Sequence, residues 1–115
     1  MTLYGIRNCD TVRKARQWLD QHHIDYRFHD YRKDGISRTQ LKKWATELGW
    51  EQLLNKRGTS WRRLDEAARD NINRERALDL MAAEPALIRR PLLDTGRVKL
   101  VGFDQEQYRK RLLES

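Results

Sequence analysis

The sequence has a single cysteine, Cys9, and its position is the strongest chemical signal in the 115 residues. Cys9 follows a short apolar run, residues 2–6, and precedes Asp10 and Thr11, which are typical of the first turn of a helix. A thiol at a helix N-terminus lies near unpaired backbone N–H groups and the positive end of the helix dipole. Both favour the thiolate, the nucleophilic form of cysteine. The position therefore predicts a nucleophile, and with it an enzyme.

A lone cysteine is often a small buried hydrophobic residue without chemistry, and this alternative stays open for Cys9. The charges around the thiol act in opposite directions. Asp10 places a negative charge beside the thiol and opposes the thiolate, whereas three basic residues nearby favour it: Arg7, Arg13 and Lys14.

Length and composition restrict the class of protein. A chain of 115 residues has the usual size of one domain with its own core. One cysteine cannot form a disulfide within the chain, which fits a reducing compartment. The sequence has neither a run of about 20 apolar residues nor a signal-peptide pattern, so we expect a cytoplasmic protein with no membrane partner.

The balance of 24 basic and 17 acidic residues gives a net charge of +7, which favours anionic partners. The basic residues are scattered, so nucleic acid is not the expected partner, although a basic nucleic-acid-binding domain is kept as an alternative. No metal site is predicted, because the three histidines lack cysteine or carboxylate at zinc spacing. Nothing in the sequence requires more than a monomer.

Hydrophobic periodicity predicts the elements that position Cys9. Residues 2–6 and 24–29 are predicted strands, and helical spacing over 10–23 connects them. Such a unit implies a right-handed crossover and parallel pairing. Three further helices are predicted at residues 39–48, 62–72 and 74–83.

The last third of the chain returns to strand periodicity. Residues 90–94 and 97–101 flank a typical hairpin turn, and residues 105–113 form a predicted closing helix. The order β-α-β, helices, β-β-α resembles the thioredoxin-like α/β fold with a mixed four-stranded sheet. We therefore predict one domain, 1–115, with a helical insertion over approximately residues 36–84.

In the thioredoxin-like fold, the catalytic cysteine begins the first helix and faces a proline that precedes the third strand, usually in cis. Pro91 occupies that position in this sequence. Its alternative role is simply to begin an edge strand.

Three segments of the chain carry a more specific resemblance: the strand–turn–Cys9-x-Thr11 start, residues 53–57 (Leu-Leu-Asn-Lys-Arg) and residues 87–91 (Leu-Ile-Arg-Arg-Pro). In this order and spacing they resemble the arsenate reductase (ArsC)/Spx family of thioredoxin-like proteins. The stretches 8–15 and 25–31 resemble its YffB-type branch in particular.

This resemblance implies a glutathione-dependent oxidoreductase in which the Cys9 thiolate attacks an oxidised substrate. Arg90 matches the family's anion-binding arginine before the proline. Arg57 is the predicted basic residue of the loop, with Asn55 and Lys56 competing by register. A planar guanidinium suits a tetrahedral oxyanion or a glutathione carboxylate. Glutathione is then a co-substrate, and no bound cofactor is expected.

Two further residues are predicted at the site. Asn8, Thr11 and the backbone N–H groups at the helix start would stabilise the thiolate or a bound oxyanion. Each has a structural alternative, because Asn8 is also suited to shaping the turn and Thr11 to capping the helix.

The chain departs from the family in two ways. Arsenate reductases carry another arginine after the last strand, where residues 101–103 are Val-Gly-Phe, so arsenate specificity is not implied. Spx regulators usually carry Cys-x-x-Cys, and Val12 occupies the second position here. The oxidised intermediate must therefore be resolved by glutathione or a glutaredoxin.

The substrate stays open between arsenate, a glutathione mixed disulfide and another small oxidised anion. An Spx-like transcriptional regulator that binds RNA polymerase is the alternative function, because binding does not require the redox switch.

Overall fold

The computed structural model describes residues 1–114, which contain four strands and eight α-helices. The strands are β1 (Thr2–Gly5), β2 (Arg27–Asp30), β3 (Leu92–Asp94) and β4 (Lys99–Val101). The helices are α1 (Asp10–Gln21), α2 (Tyr31–Asp34), α3 (Arg38–Leu48), α4 (Trp50–Leu53), α5 (Thr59–Arg62), α6 (Glu66–Asp70), α7 (Arg74–Ala83) and α8 (Gln105–Leu112). A 3-10 turn, Pro85–Leu87, precedes β3.

The strands form one mixed sheet in the order β2-β1-β3-β4. Strand β1 is parallel to β2, as the strand–helix–strand unit predicts, and antiparallel to β3. Tyr4, in the register of this sheet, is paired with His29 on one side and Leu92 on the other. As a result, β1 and β2 end, and β3 begins, at the same edge of the sheet, which we call the site edge.

One face of the sheet packs against α1 and α8. Leu3, Leu93 and Leu100 are paired neighbours on β1, β3 and β4, so their side chains share this face. Together with α1 and α8 they form a core whose buried members are Leu3, Ala15, Trp18, Leu19, Leu93, Leu100 and Tyr108. This packing fixes the start of α1 relative to the sheet, and therefore fixes the place of Cys9.

The chain divides into two compact units. The first contains residues 1–31 and the segment from residue 90 onward, and it holds the whole sheet. The second contains residues 32–89 and is helical. The single domain with an insertion over residues 36–84 stays a prediction.

Within the helical unit, α3 packs against α4 and α7. The Arg38 guanidinium at the start of α3 lies 2.6 Å from the Glu75 carboxylate and 2.7 Å from that of Asp79, both on α7. These hydrogen bonds raise the pKa of Arg38 and lower the pKa of Glu75.

Two predicted elements differ most from the structure. The helix predicted over 62–72 is interrupted: α5 ends at Arg62, and α6 begins only at Glu66, because Asp65 leaves the helical conformation with a ψ of 145°. The strand predicted from residue 24 begins at Arg27. Ile24 instead donates its backbone N–H to the Leu19 carbonyl, and His23 has a φ of 55°, which together close α1 in a Schellman motif.

Strand β1 approaches α1 closely at Gly5, because a Cβ at this position would lie 2.7 Å from Cγ2 of Val12. We expect Gly5→Ala to lower the free energy of unfolding by about 1–3 kcal/mol, the usual cost of overpacking a core. Urea unfolding of Gly5→Ala, Val12→Ala and the double variant tests this cause. The double variant should lose less stability than the two single losses added together, and simple additivity would show that Val12 is not the obstacle.

Candidate functional site

Cys9 is the N-cap residue of α1, with an extended backbone at φ −94° and ψ 127°. Its N–H donates to the Ile6 carbonyl at 3.2 Å, which closes the turn after β1, and its carbonyl accepts from Arg13 N–H at 2.9 Å. The sulfur makes no capping hydrogen bond, and the residue is partly buried. By the geometry of a helix, the N–H groups of its first turn have no intrahelical acceptor. Cys9 therefore stands at the start of a 12-residue helix, and its sulfur is not engaged in capping that helix.

The charges next to Cys9 are partly compensated within α1. The Asp10 carboxylate accepts a hydrogen bond from the Arg13 guanidinium, and both side chains are exposed. The Arg7 guanidinium lies 5.9 Å from the centroid of the Phe28 ring, so this cation is directed toward β2. Asp10 therefore opposes a thiolate less than an isolated carboxylate would, because Arg13 is its direct partner.

Four other predicted site residues belong to the same unit as Cys9. Asn8 is exposed in the turn after β1, and Thr11 is partly buried in the first turn of α1. The Arg90–Pro91 peptide bond is cis, and the Pro91 carbonyl accepts from Gly102 N–H at 2.8 Å. Arg90 and Pro91 directly precede β3, so they lie at the site edge. The chemical roles assigned to these residues stay predictions.

Arg57 lies in the helical unit, in a loop with defined backbone contacts. Asn55 donates its backbone N–H to the Leu87 carbonyl at 2.8 Å, and its side-chain oxygen accepts from Arg57 N–H at 3.0 Å. The loop between α4 and α5 is thus an Asx turn with a fixed backbone.

The side chains of this loop differ in what they contact. The Lys56 ammonium lies 6.0 Å from the Trp50 ring centroid and 5.6 Å from that of Trp61, within range of cation–π attraction. Arg57 is exposed, and within residues 1–114 its guanidinium has no ion pair. The choice of Arg57 over Asn55 and Lys56 stays a prediction, and these contacts favour it.

The rings of Tyr4, His29 and Tyr31 form an aromatic cluster that the sequence patterns do not predict. The ring centroids of Tyr4 and His29 are 4.9 Å apart, and Tyr31 stacks on Tyr4 at 6.2 Å. Burial is the main cause that raises the pKa of Tyr31, whereas the Arg90 guanidinium opposes the rise. Tyr31 directly follows β2. Because β2 is parallel to β1, a residue at this position lies at the site edge, and this was the signal for Tyr31 in the sequence.

No group of three His, Cys, Asp or Glu side chains in residues 1–114 is arranged to hold a metal ion. None of the helices described has the length and apolar character needed to cross a membrane.

The Asp10–Arg13 pair generates a prediction about the reactivity of Cys9. We expect Asp10→Asn to speed alkylation of Cys9 by iodoacetamide by about two- to fivefold, the effect of one exposed charge at a helix end. Asp20→Asn, near the other end of α1, is the matched control and should leave the rate unchanged. The effect should shrink as salt is added. Equal rates for the two variants at low salt would mean that Asp10 has no electrostatic influence on the thiol.

The sequence matches the ArsC family over residues 4–111. An uncharacterized protein of Haemophilus influenzae is 44% identical over 108 residues, which are 94% of this chain and 95% of that protein. The global transcriptional regulator Spx of Streptococcus pyogenes is 30% identical over 111 residues, which are 95% of this chain and 82% of the regulator.

Solved structures show the same relationship. The YFFB protein is 48% identical, with a TM-score of 0.90 over 93% of this chain and 94% of its own. An arsenate reductase (ArsC) related protein from Brucella melitensis is 45% identical, with a TM-score of 0.78 over 97% of this chain and 93% of its own. These likenesses confirm the predicted thioredoxin-like fold. The chain is therefore a member of the ArsC family.

Proposed function

We propose that the protein is a glutathione-dependent reductase in which Cys9 is the only nucleophile. The observation that carries this proposal is the Cys9 sulfur at the N-cap of α1, partly accessible and not used in a capping hydrogen bond. Membership of a family with arsenate reductase-related structures supports it. A buried structural cysteine would lie within the apolar core, and Cys9 is partly exposed and not among the buried apolar residues.

With a glutathione mixed disulfide as substrate, the reaction has two exchange steps. The Cys9 thiolate attacks the glutathione sulfur, a Cys9–glutathione disulfide forms as the mixed disulfide bond breaks, and the substrate leaves as its thiolate. A second glutathione, as its thiolate, attacks that disulfide, so oxidised glutathione leaves and the Cys9 thiolate is restored. The leaving substrate thiolate takes up the proton that the second glutathione lost. Because the sequence has one cysteine, the second step requires an external thiol, glutathione or a glutaredoxin.

The predicted cationic residues supply binding in this scheme. Arg90 at the site edge and Arg57 on the Asx turn would bind the carboxylates of glutathione or a substrate oxyanion. Asn8, Thr11 and the first-turn N–H groups of α1 would stabilise negative charge on the thiolate or on a bound oxyanion. Arsenate and other small oxidised anions are alternative substrates for the same residues.

The role of Cys9 is tested by mass spectrometry and by turnover. Incubation with oxidised glutathione should place one glutathione on Cys9, and added glutathione should remove it. Cys9→Ser should form no adduct and should reduce a mixed disulfide only at the uncatalysed rate. Retention of full reductase activity by Cys9→Ser would disprove the mechanism.

The role of Arg90 is tested by a substitution that keeps the charge but removes the planar fork. We expect Arg90→Lys to raise KM for the anionic substrate by about tenfold, because hydrogen bonds to charged groups contribute about 1.5–3 kcal/mol. The matched control is Arg97→Lys in the exposed turn between β3 and β4, which should leave KM unchanged. A KM for Arg90→Lys equal to that of the unsubstituted protein would remove Arg90 from the site.

A second candidate function is supported by the 30% identity with the Spx regulator. In this alternative, the protein binds RNA polymerase and its thiol is not a catalyst. Val12 stands where the Cys-x-x-Cys switch would need its second cysteine, which favours the reductase. Stoichiometric capture of polymerase subunits by both the unsubstituted protein and Cys9→Ser would favour the regulator.

A further inference from the structure

Arg57 is an exposed residue whose backbone is nevertheless held by a side chain on each side. Its N–H donates to the side-chain oxygen of Asn55 at 3.0 Å, and its carbonyl accepts from the Arg62 guanidinium at 3.3 Å. In an exposed loop, water can satisfy both backbone groups, whereas ordering the long side chain of an arginine costs conformational entropy. We call these two contacts the Arg57 clamp.

The Asn55 half of the clamp is closely packed against Gly58. A Cβ at position 58 would lie 2.9 Å from the amide nitrogen of the Asn55 side chain, which is closer than a side chain tolerates. Gly58 has a φ of −87°, a backbone conformation that any residue adopts. An alanine at this position would therefore displace the Asn55 amide without straining the backbone.

The base of the clamp is fixed by pairing with the segment that precedes β3. Leu54 forms an antiparallel bridge with Ile88, and the Asn55 N–H donates to the Leu87 carbonyl at 2.8 Å. Leu54, Ile88 and Leu87 are buried. Because Asn55 begins from this fixed base, its side chain holds the Arg57 N–H in one place.

The neighbouring cation of the loop has different partners. The Lys56 ammonium lies within cation–π range of Trp50 and Trp61, whereas the Arg57 guanidinium has no carboxylate partner in the part of the chain that the structure describes. A planar guanidinium forms two parallel hydrogen bonds with a carboxylate or a tetrahedral oxyanion, and an ammonium does not. The clamp thus acts on the residue of the loop that is better suited to bind an anion.

We propose that Asn55 and Arg62 are positioning residues that hold Arg57 in place for an anionic group of the substrate, a carboxylate or a tetrahedral oxyanion. This inference rests on the function proposed above, in which Arg57 binds that group, and extends it by two residues that act through Arg57. A backbone that is held in advance lowers the ordering cost of binding. The clamp therefore strengthens substrate binding and leaves the chemistry at Cys9 unchanged.

The experiment uses Cys9→Ser as the parent, so that no covalent step occurs, and measures binding of oxidised glutathione and arsenate by calorimetry. We expect Asn55→Ala to raise the dissociation constant of at least one probe by about tenfold, the effect of ordering one backbone residue. Asn55→Ser should recover part of the loss, because a serine hydroxyl accepts more weakly in such turns. The matched control is Asn73→Ala, which should leave binding unchanged, because Asn73 accepts from Arg76 N–H at 2.9 Å in the same unit.

Further variants address each half of the clamp. Gly58→Ala should weaken binding as Asn55→Ala does, but should add nothing in the Asn55→Ala background, where the displaced amide is absent. Arg62→Gln removes the contact with the Arg57 carbonyl, and Arg63→Gln removes the same charge from the adjacent exposed position. Arg62→Gln should therefore weaken binding more than Arg63→Gln. Urea unfolding should show that every variant folds.

A double-mutant cycle tests whether Asn55 acts through Arg57. In the Arg57→Ala background, Asn55→Ala should no longer affect binding, because the group that it positions is gone. An effect that persists in this background would overturn the inference, and so would equal effects of Asn55→Ala and Asn73→Ala. Binding that is unchanged by either Asn55→Ala or Arg57→Ala, or a parent that binds neither probe, would overturn it as well.

Proteins that retain Cys9 are assayed separately for glutathione-dependent reduction. Asn55→Ala should raise KM and leave kcat unchanged, because the clamp acts on binding. Absence of reduction by the unsubstituted protein, with the effects at Asn55 and Arg57 still coupled in binding, would refute the proposed function and leave the clamp standing. Normal reduction by the unsubstituted protein, with additive effects at the two positions, would refute the clamp alone.

Discussion

The site depends on how β1 is paired, because β1 has a parallel neighbour on one side and an antiparallel neighbour on the other. Because β2 runs parallel to β1 and β3 runs against it, the chain leaves β1 and β2 and enters β3 at one edge. Residues far apart in sequence, such as Cys9 and Arg90, therefore share this edge. A shift of one residue in register would turn the apolar face of β1 away from α1, so the same hydrophobic pattern that builds the core also specifies the site.

The start of α1 joins the packing of the core to the chemistry of the site. Leu3 on β1 and Ala15 on α1 belong to the same buried cluster, and Gly5 lets the strand and helix approach closely. The turn of residues 6–9 is closed by a backbone hydrogen bond, which leaves the sulfur of Cys9 outside the helix but at its positive end. The thiol is thus positioned by apolar packing, whereas its charge environment is set by exposed side chains such as Asp10 and Arg13.

Elements with strong periodicity and clear end signals were predictable from the sequence. Helix α3 is an example, because the side chain of Ser37 accepts a hydrogen bond from Gln40 N–H at the N-cap and Gly49 is the C-cap. The parallel pairing of β1 and β2 also followed from the pattern, and the family is the one that the three motifs indicated. The predictions that were wrong concern single residues whose type is compatible with more than one backbone conformation. Asp65 is compatible with a helix but leaves the helical conformation between α5 and α6, and Ile24 suits a strand but closes α1.

The candidate site was predictable only in part. Cys9, Arg90 and Pro91 carry signals of residue type and position in the sequence. The stacking of Tyr31 on Tyr4 does not, because a ring contact between residues so far apart in the chain depends on tertiary packing.

The two outer strands of the sheet have a consequence for molecular recognition. Strands β2 and β4 have only four and three residues, and both carry charged side chains, among them Arg27 and Lys99. Short, charged edge strands are poor templates for the addition of another extended chain, because few backbone groups are presented and charge must be buried. A polypeptide that approaches this sheet gains little from main-chain pairing along its sides. The sheet edges therefore disfavour recognition of a partner by strand addition.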